Sequence, residues 1–277
     1  MGEYSIVRRV AVGAMSEVYE GRHNLTGEPV AVKVLRPEWC LHAEVVARFL
    51  NEAQALQGLH HPHMVSALAS GTLPQGTPFM VLEWLPADLH QLLAESGGRL
   101  PLETSVQLIL QLAGALDALH ANGLIHRDLK PANVLLAQSD SRVLIAKLAD
   151  LGLAKHTARE HPLSTAIPVS TAGSALLGTW DYMAPEQWIQ SKSVGPKADV
   201  YALGVLWFQL LAGRLPFIAG AEKDLMYHHL LEPPPLELLD GQVPEATRLL
   251  VARMLSKKTS ERPTPHEIQE LLSTAAG

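Results

Sequence analysis

Short runs with the hydrophobic and polar pattern typical of β-strands recur through the first 83 residues. Turn-forming residues, such as those at 24–27, separate the alternating runs. Within this region, residues 41–59 place apolar side chains on one face at helical spacing, which predicts a helix. The predicted strands are residues 4–10, 18–22, 30–35, 64–69 and 79–83.

The pattern changes near Pro86, and helical spacing dominates the rest of the chain. Short apolar runs at 134–136 and 143–148 interrupt the helices and precede a long region rich in Ser, Thr and Ala. The sequence therefore predicts an α+β protein with a small β-rich N-terminal lobe and a larger helical C-terminal lobe. The predicted helices are residues 88–95, 102–121, 199–212, 222–231, 244–255 and 264–274.

Composition narrows the class of protein. Of 277 residues, 47% are hydrophobic and 18% charged, which is typical of a folded chain. The net charge of -6 argues against nucleic acid as the main partner. Cys40 is the only cysteine, which excludes an intrachain disulfide and fits a reducing compartment. The apolar run at 200–212 is too short to span a bilayer, so we expect a cytoplasmic protein or the cytoplasmic domain of a larger one.

Four motifs carry the chemistry. The strongest is the run His-Arg-Asp-Leu-Lys-Pro-Ala-Asn at residues 126–133. Val-Ala-Val-Lys at 30–33 precedes it, and Asp-Leu-Gly at 150–152 and Gly-Thr-Trp-Asp-Tyr-Met-Ala-Pro-Glu at 178–186 follow it. Their order and types resemble the protein-kinase signature set over most of the chain. Lys-Pro within the first run resembles the Ser/Thr branch of that family. Val18-Tyr19, the acidic balance and Tyr227-His-His-Leu before the prolines resemble its bacterial members.

This resemblance implies roles for the charged residues of two motifs. Lys33 contacts the α- and β-phosphates of ATP, and Glu52 of the following helix holds it, with Glu44 as a rival partner. Asp128 accepts the proton of the substrate hydroxyl. Lys130 neutralises charge on the transferring phosphoryl group.

Further roles follow from the same resemblance. Asn133 and Asp150 hold Mg²⁺, with Mn²⁺ as an alternative ion. Thr179 bridges Asp128 and Lys130, a Ser/Thr-kinase trait. Three residues are expected to act structurally: Glu186 and Arg262 as a buried ion pair, and Asp199 as an anchor of the catalytic-loop backbone. His126 is expected to be a packing residue.

The phosphate loop departs from the family pattern Gly-x-Gly-x-x-Gly-x-Val. Only the middle glycine is kept, as Gly13, while Ala11 and Ser16 replace the other two and Val18 is retained. Glycine allows unusual backbone angles and a close approach to phosphate. We therefore expect the loop to close less tightly, with a larger effect on the catalytic rate than on ATP binding.

The nucleotide pocket is inferred by position in the resemblance. Val18, Ala31, Leu82, Leu135 and Ala149 line the adenine slot, and Leu82 is the gatekeeper. Plain core packing is the competing interpretation of each apolar residue. The remaining contacts are backbone groups of Glu83 and Leu85 to adenine, and Asp88 to the ribose, although the hinge is about one residue short there.

The region between Asp150 and Glu186 carries hydroxyls that favour regulation by phosphorylation, with Arg127 as the partner of the phosphate. The competing interpretation is a low-charge loop whose hydroxyls keep it soluble. The candidate positions are Ser164, Thr165, Ser170, Thr171 and Ser174.

The resemblance implies one kinase domain over residues 1–277, with an N-lobe at about 4–83, a hinge at about 83–87 and a C-lobe at about 88–276. Such a domain transfers the γ-phosphoryl group of ATP to Ser or Thr of protein substrates, itself included.

The alternative is a pseudokinase, an ATP-binding scaffold with little turnover. The altered glycine loop favours this alternative, and the full set of catalytic residues opposes it. A kinase acting on a small molecule is disfavoured by the segment around Thr179.

Overall fold

The structure, a computed structural model, describes residues 2–138, 143–151, 180–189 and 194–275. These residues form a mixed α+β protein, as the sequence predicts. They divide into two compact units, the first ending at Pro86 and the second beginning at Ala87. In the described part of the chain, no helix is long and apolar enough to cross a membrane.

The first unit is an antiparallel five-stranded sheet in the order β1-β2-β3-β5-β4. A 3-10 turn, Pro37–Trp39, and one helix separate β3 from β4. The elements are β1 Tyr4–Val12, β2 Ser16–His23, β3 Pro29–Leu35, α1 Ala43–Gly58, β4 Ala67–Thr72 and β5 Pro78–Glu83.

The strand register places five of the predicted nucleotide residues on one face of the sheet: Ala11, Val18, Ala31, Lys33 and Leu82. Ala11 pairs with Val18, Val18 with Lys33 and Ala31 with Leu82. Cross-strand partners share a face, and so do residues two apart such as Ala31 and Lys33. The opposite face carries the buried apolar cluster of Val30, Val32 and Val81.

Strand β4 lies three residues later than predicted. Met64 and Val65, which supplied the apolar signal, are buried in the connection before the strand. The inward positions of β4 are Ala67, Ala69 and Gly71, which give almost no hydrophobic alternation. A Cβ on Gly71 would meet the ring of Phe79 at 3.1 Å, so close packing requires the small residue there.

The second unit combines a small three-stranded sheet with helices. Two elements were not predicted, because the two-residue strand β6 and the five-residue helix α4 are too short to show a period. The strands are β6 Ala87–Asp88, β7 Val134–Gln138 and β8 Leu144–Leu148; the helices are α2 Leu89–Glu95, α3 Leu102–Ala121, α4 Pro185–Ile189, α5 Lys197–Ala212, α6 Glu222–Leu231, α7 Glu245–Met254 and α8 Pro265–Ala275.

Helix α5 is the core element of the second unit. Thirteen of its 16 residues are buried, so it is apolar on all sides, as expected for a central helix. Gly204 lets it approach α7, because a Cβ there would lie 2.8 Å from Cβ of Met254. Its one buried acidic side chain, Asp199, lies in the first turn, where the helix dipole favours a negative charge.

Candidate active site

Lys33 on β3 and Glu52 on α1 form a buried ion pair. The Nζ to Oε1 distance is 2.8 Å, and the two residues are 8% and 1% exposed. Glu44, the rival partner, is exposed in the first turn of α1. This hydrogen-bonded contact between opposite charges fixes the direction of the lysine side chain.

The catalytic loop, residues 126–133, brings three predicted side chains together. Asn133, at the end of the 3-10 turn Pro131–Asn133, donates from Nδ2 to the Asp128 carboxylate at 2.6 Å and to its carbonyl at 2.8 Å. Lys130 Nζ lies 3.4 Å from the same carboxylate. Asp128 and Asn133 are each 6% exposed. The carboxylate is therefore held in one direction by an amide and an ammonium group.

Asp199 anchors the backbone of this loop, which confirms the prediction. Its two carboxylate oxygens accept hydrogen bonds from the backbone N–H groups of His126 and Arg127, each at 2.8 Å. His120 Nε2 is 2.8 Å from the same carboxylate. This third contact was not predicted, because His120 lies on another helix, 79 residues away.

Two residues of the site have left-handed backbone, Arg127 at φ 65° and Asp150 at φ 56°. Among the residues described they are the only two besides glycine with positive φ, a conformation that costs an L-residue about 1 kcal/mol. Asp199 holds the N–H of Arg127, and Gln187 Nε2 donates to its carbonyl at 3.3 Å. Gln187 therefore helps to hold the backbone of Arg127, a role that was not predicted from the sequence.

His126 does more than pack. It is completely buried, and its Nε2 donates to the carbonyl of Ala149 at 3.0 Å while its Nδ1 accepts from the N–H of Asp128 at 3.4 Å. The N–H of Ala149 in turn donates to the carbonyl of Asn133 at 2.9 Å. These bonds connect the catalytic loop to the residue directly before Asp150.

Glu186 and Arg262 form the predicted ion pair. Two guanidinium nitrogens of Arg262 contact the two carboxylate oxygens of Glu186 at 2.6 and 2.9 Å, the bidentate geometry that favours arginine. Arg262 is 2% exposed and also donates to the carbonyl of Ser256 at 2.8 Å. The predicted pairing is confirmed, but only its arginine is buried, because the Glu186 side chain is 23% exposed.

The structure places the predicted adenine-slot residues in different environments. Leu82 and Ala149 are buried, whereas Val18, Ala31 and Leu135 are half-buried.

The predicted hinge and ribose residues have contacts of their own. Leu85 is half-buried, and the Glu83 carboxylate accepts from the N–H of Ser66 at 2.7 Å. One carboxylate oxygen of Asp88 caps α2 by accepting from the N–H of Gln91 at 2.8 Å. This helix cap is a role for Asp88 that the sequence analysis did not consider.

The predicted phosphate loop forms a turn without the first and third glycines of the family pattern. Ala11 and Ser16 both have negative φ, and Gly13 does not adopt positive φ either. The N–H of Gly13 donates to the carbonyl of Ser16 at 2.8 Å and closes the turn between β1 and β2. Backbone conformation therefore gives no reason for glycine at 11 or 16.

Some predicted residues lie outside the described ones. They are Thr179, Gly152 and all five candidate phosphorylation positions. Arg127, the predicted phosphate partner, has a buried Nε that finds no hydrogen-bond acceptor among residues 2–138, 143–151, 180–189 and 194–275. In the same part of the chain, no three His, Cys, Asp or Glu side chains are grouped as a metal site.

Comparison with known proteins agrees with these motifs. The protein kinase domain family model matches residues 4–272. Serine/threonine-protein kinase Pkn1 of Myxococcus xanthus is 37% identical over 94% of this chain and 36% of its own length. Serine/threonine-protein kinase PknA of Mycobacterium tuberculosis is 32% identical over 94% of this chain and 58% of its own length.

The chain thus spans between about a third and three fifths of these relatives, in each case over nearly all of its own length. The family model extends from the first residue of β1 to the last helix, so it includes every motif discussed above. The chain belongs to the protein kinase domain family.

Proposed function

We propose that this domain is an active Ser/Thr protein kinase that transfers the γ-phosphoryl group of ATP to protein hydroxyls. The observation that carries the proposal is the Asp128 carboxylate, which is 6% exposed and held by Asn133 at 2.6 Å and Lys130 at 3.4 Å. A general base must be fixed in direction before it can accept a proton efficiently. A binding scaffold has no need for that arrangement.

In the proposed reaction, the substrate hydroxyl oxygen attacks the γ-phosphorus while Asp128 accepts its proton. A new oxygen–phosphorus bond forms, the bond to the β–γ bridging oxygen breaks, and ADP leaves. Lys130 neutralises negative charge on the transferring group. Lys33, which Glu52 holds at 2.8 Å, binds the α- and β-phosphates.

The donor set fits Mg²⁺. Because Asn133 uses its amide nitrogen to donate to Asp128, its amide oxygen is left as a ligand atom, and Asp150 supplies a carboxylate. Both are hard oxygen donors of the kind that Mg²⁺ prefers, and they suit Mn²⁺ as well. The ion supplies charge neutralisation on the phosphates when bound. Asn133 also has a second role, since the same amide orients the proposed base.

We also propose the remaining parts of the nucleotide site. Ala11, Gly13 and Val18 contribute the phosphate loop and its flank, and residues 83–87 form the hinge between an N-lobe and a C-lobe. The apolar slot for adenine consists of Val18, Ala31, Leu82, Leu135 and Ala149. Backbone groups of Glu83 and Leu85 bind adenine, and Asp88 contacts the ribose with the oxygen that does not cap α2.

The choice of Ser and Thr as acceptors rests on Lys130-Pro131, on the proposed bridging role of Thr179 and on the names of the bacterial relatives. Autophosphorylation of the region between Asp150 and Glu186, with Arg127 as the cationic partner, belongs to the same proposal. The single Cys40 suits a reducing cytoplasm.

The test is mass spectrometry after incubation with Mg-ATP and a generic protein substrate. We expect new phosphoserine or phosphothreonine in the substrate and in the chain itself with the wild type, and none with Asp128→Ala. Equal phosphorylation by both proteins contradicts the assignment of Asp128. A wild type that binds ATP and phosphorylates nothing contradicts kinase activity and supports the pseudokinase alternative.

A further inference from the structure

A neighbouring segment holds the loop that joins β1 to β2, residues 13–16, by three successive carbonyl groups. We call this segment the tether; it consists of Arg36 and the 3-10 turn Pro37–Trp39, directly after β3. The hydrogen bonds run from Nη1 of Arg36 to the Gly13 carbonyl at 3.2 Å, from Nε1 of Trp39 to the Ala14 carbonyl at 3.1 Å, and from the N–H of Arg36 to the Met15 carbonyl at 2.9 Å.

The tether has a firm attachment of its own. Trp39 is 7% exposed, so its indole has little freedom, and the N–H of Trp39 donates to the carbonyl of Arg36 at 3.0 Å. Met15 is the one loop residue that is buried, at 9% exposure, while Gly13 and Ala14 are exposed. The loop is therefore fixed by its backbone and by one buried side chain.

These bonds set the direction of the loop N–H groups. In a trans peptide the C=O and the following N–H point to opposite sides. When the carbonyls of 13, 14 and 15 face the tether, the N–H groups of Ala14, Met15 and Ser16 face away from it. Successive N–H groups presented in this way form a concave anion-binding site for phosphate oxygens.

We infer that Arg36 and Trp39 are positioning residues that aim the N–H groups of residues 14–16 at the ATP phosphates. This inference rests on the proposed function. It also explains how a loop with Ala11 and Ser16 in place of glycine can serve, because three fixed hydrogen bonds hold a backbone that has ordinary φ throughout. The tether acts on phosphate recognition and not on adenosine recognition.

The main test compares Arg36→Met with Arg22→Met. Arg22 is a matched control, because its Nη1 donates at 3.1 Å to the carbonyl of Gly27 in the next turn of the same sheet. We expect Arg36→Met to raise the Kd and the KM for ATP about five- to tenfold, the effect of losing one ordinary hydrogen bond at a partly exposed site. Its Kd for adenosine, which lacks phosphates, should be that of the wild type, and Arg22→Met should change neither.

Trp39→Phe tests the tether without changing the charge of Arg36. It removes a neutral N–H donor and keeps an aromatic ring, so we expect weaker ATP binding with unchanged adenosine binding again. If Trp39→Phe binds ATP as the wild type does, or if both ligands weaken equally in Arg36→Met, the positioning role is wrong. Thermal melting of each variant checks that it is folded. The change in Kd of Arg22→Met, at an exposed position, shows how much a lost arginine alone alters ATP binding.

Failure of the proposed function gives a different result. If the wild type binds no ATP, or binds ATP without phosphorylating any protein, the kinase assignment fails whatever the variants do. If the wild type binds and transfers, and Arg36→Met is indistinguishable from Arg22→Met in its Kd for ATP, only the tether fails.

Discussion

The catalytic loop at 126–133 and the phosphate loop at 13–16 both present polar groups in fixed directions, and they are held by different means. The catalytic loop has a strained backbone, with φ 65° at Arg127, and buried polar side chains hold it. Asp199 accepts hydrogen bonds from two of its backbone N–H groups. The phosphate loop is mostly exposed, has no positive φ at any of its residues, and is fixed by hydrogen bonds to its carbonyls.

This difference teaches where sequence change is tolerated. A strained loop depends on each buried partner, because losing one leaves a charge or an N–H unsatisfied and releases the strain. An unstrained loop depends on its tether and not on a particular residue at positions 11 and 16. The catalytic-loop motif is accordingly complete in this chain, whereas the glycine pattern is not.

The largest effect is expected at the proposed base. Asp128→Asn should lower kcat about a thousandfold, since positioned general bases contribute on the order of 10²–10⁴ in rate. Asp150→Asn should abolish transfer, because it removes the carboxylate proposed to bind Mg²⁺. The control is Asp117→Asn, at a partly exposed position on α3. Phosphate transfer at the wild-type rate in Asp128→Asn, measured by ADP release, would contradict the mechanism.

Asp199→Ala tests whether buried partners hold the catalytic loop. Two backbone N–H groups lose their acceptor, so the free energy of unfolding should fall by about 3 kcal/mol and kcat about a hundredfold. Urea denaturation and initial rates measure the two effects. Asp117→Ala supplies the comparison, and a variant at 199 that matches it in both measurements shows that the loop keeps its conformation without this anchor.

The second unit also has a buried imidazole that makes stability depend on pH. Burial, together with the charge of Lys257 and with His228, lowers the pKa of His229 to about 3, below its unfolded value of about 6.5. Between these values the unfolded chain binds the additional proton, so stability falls as pH falls. The expected loss from His229 alone is about 2 kcal/mol between about pH 7.5 and about pH 5.

The measurement is the pH slope of the unfolding free energy in His229→Leu, compared with that of the wild type. Burial raises the pKa of Asp181 to about 6, so this carboxyl makes stability rise as pH falls below that value. Both proteins contain Asp181, so the difference between their slopes reports His229. An unchanged slope in His229→Leu would mean that this imidazole becomes protonated in the folded protein.

The smallest effect is expected from restoring the glycines. Ala11→Gly and Ser16→Gly should change the KM for ATP by less than about twofold, because neither position needs positive φ. Stability should fall by about 0.5–1 kcal/mol per site from the greater entropy of the unfolded chain. Ser5→Gly, near the other end of β1, controls for that loss, and a severalfold gain in ATP affinity over it would mean that glycine still matters here.

Prediction from sequence worked where the signal is local. Alternation and helical spacing gave most strands and helices, and failed at β4 because Ala67, Ala69 and Gly71 carry little hydrophobic signal. The pairing of Arg262 with Glu186 was predicted through the family motif and is present at 2.6 Å. Gln187 and His120 went unnoticed, because their partners lie 60 and 79 residues away and no motif names them.

By itself, the sequence determined the residue types and their order: Lys33, Asp128, Asn133 and Asp150 are readable as a kinase set before any coordinate is known. The tertiary structure decided which of the candidate partners hold these side chains. It selected Glu52 over Glu44, because helix α1 turns only Glu52 to the buried side. It also brought Arg36 and Trp39 to the phosphate loop, because contacts between distant segments depend on packing, which local sequence does not encode.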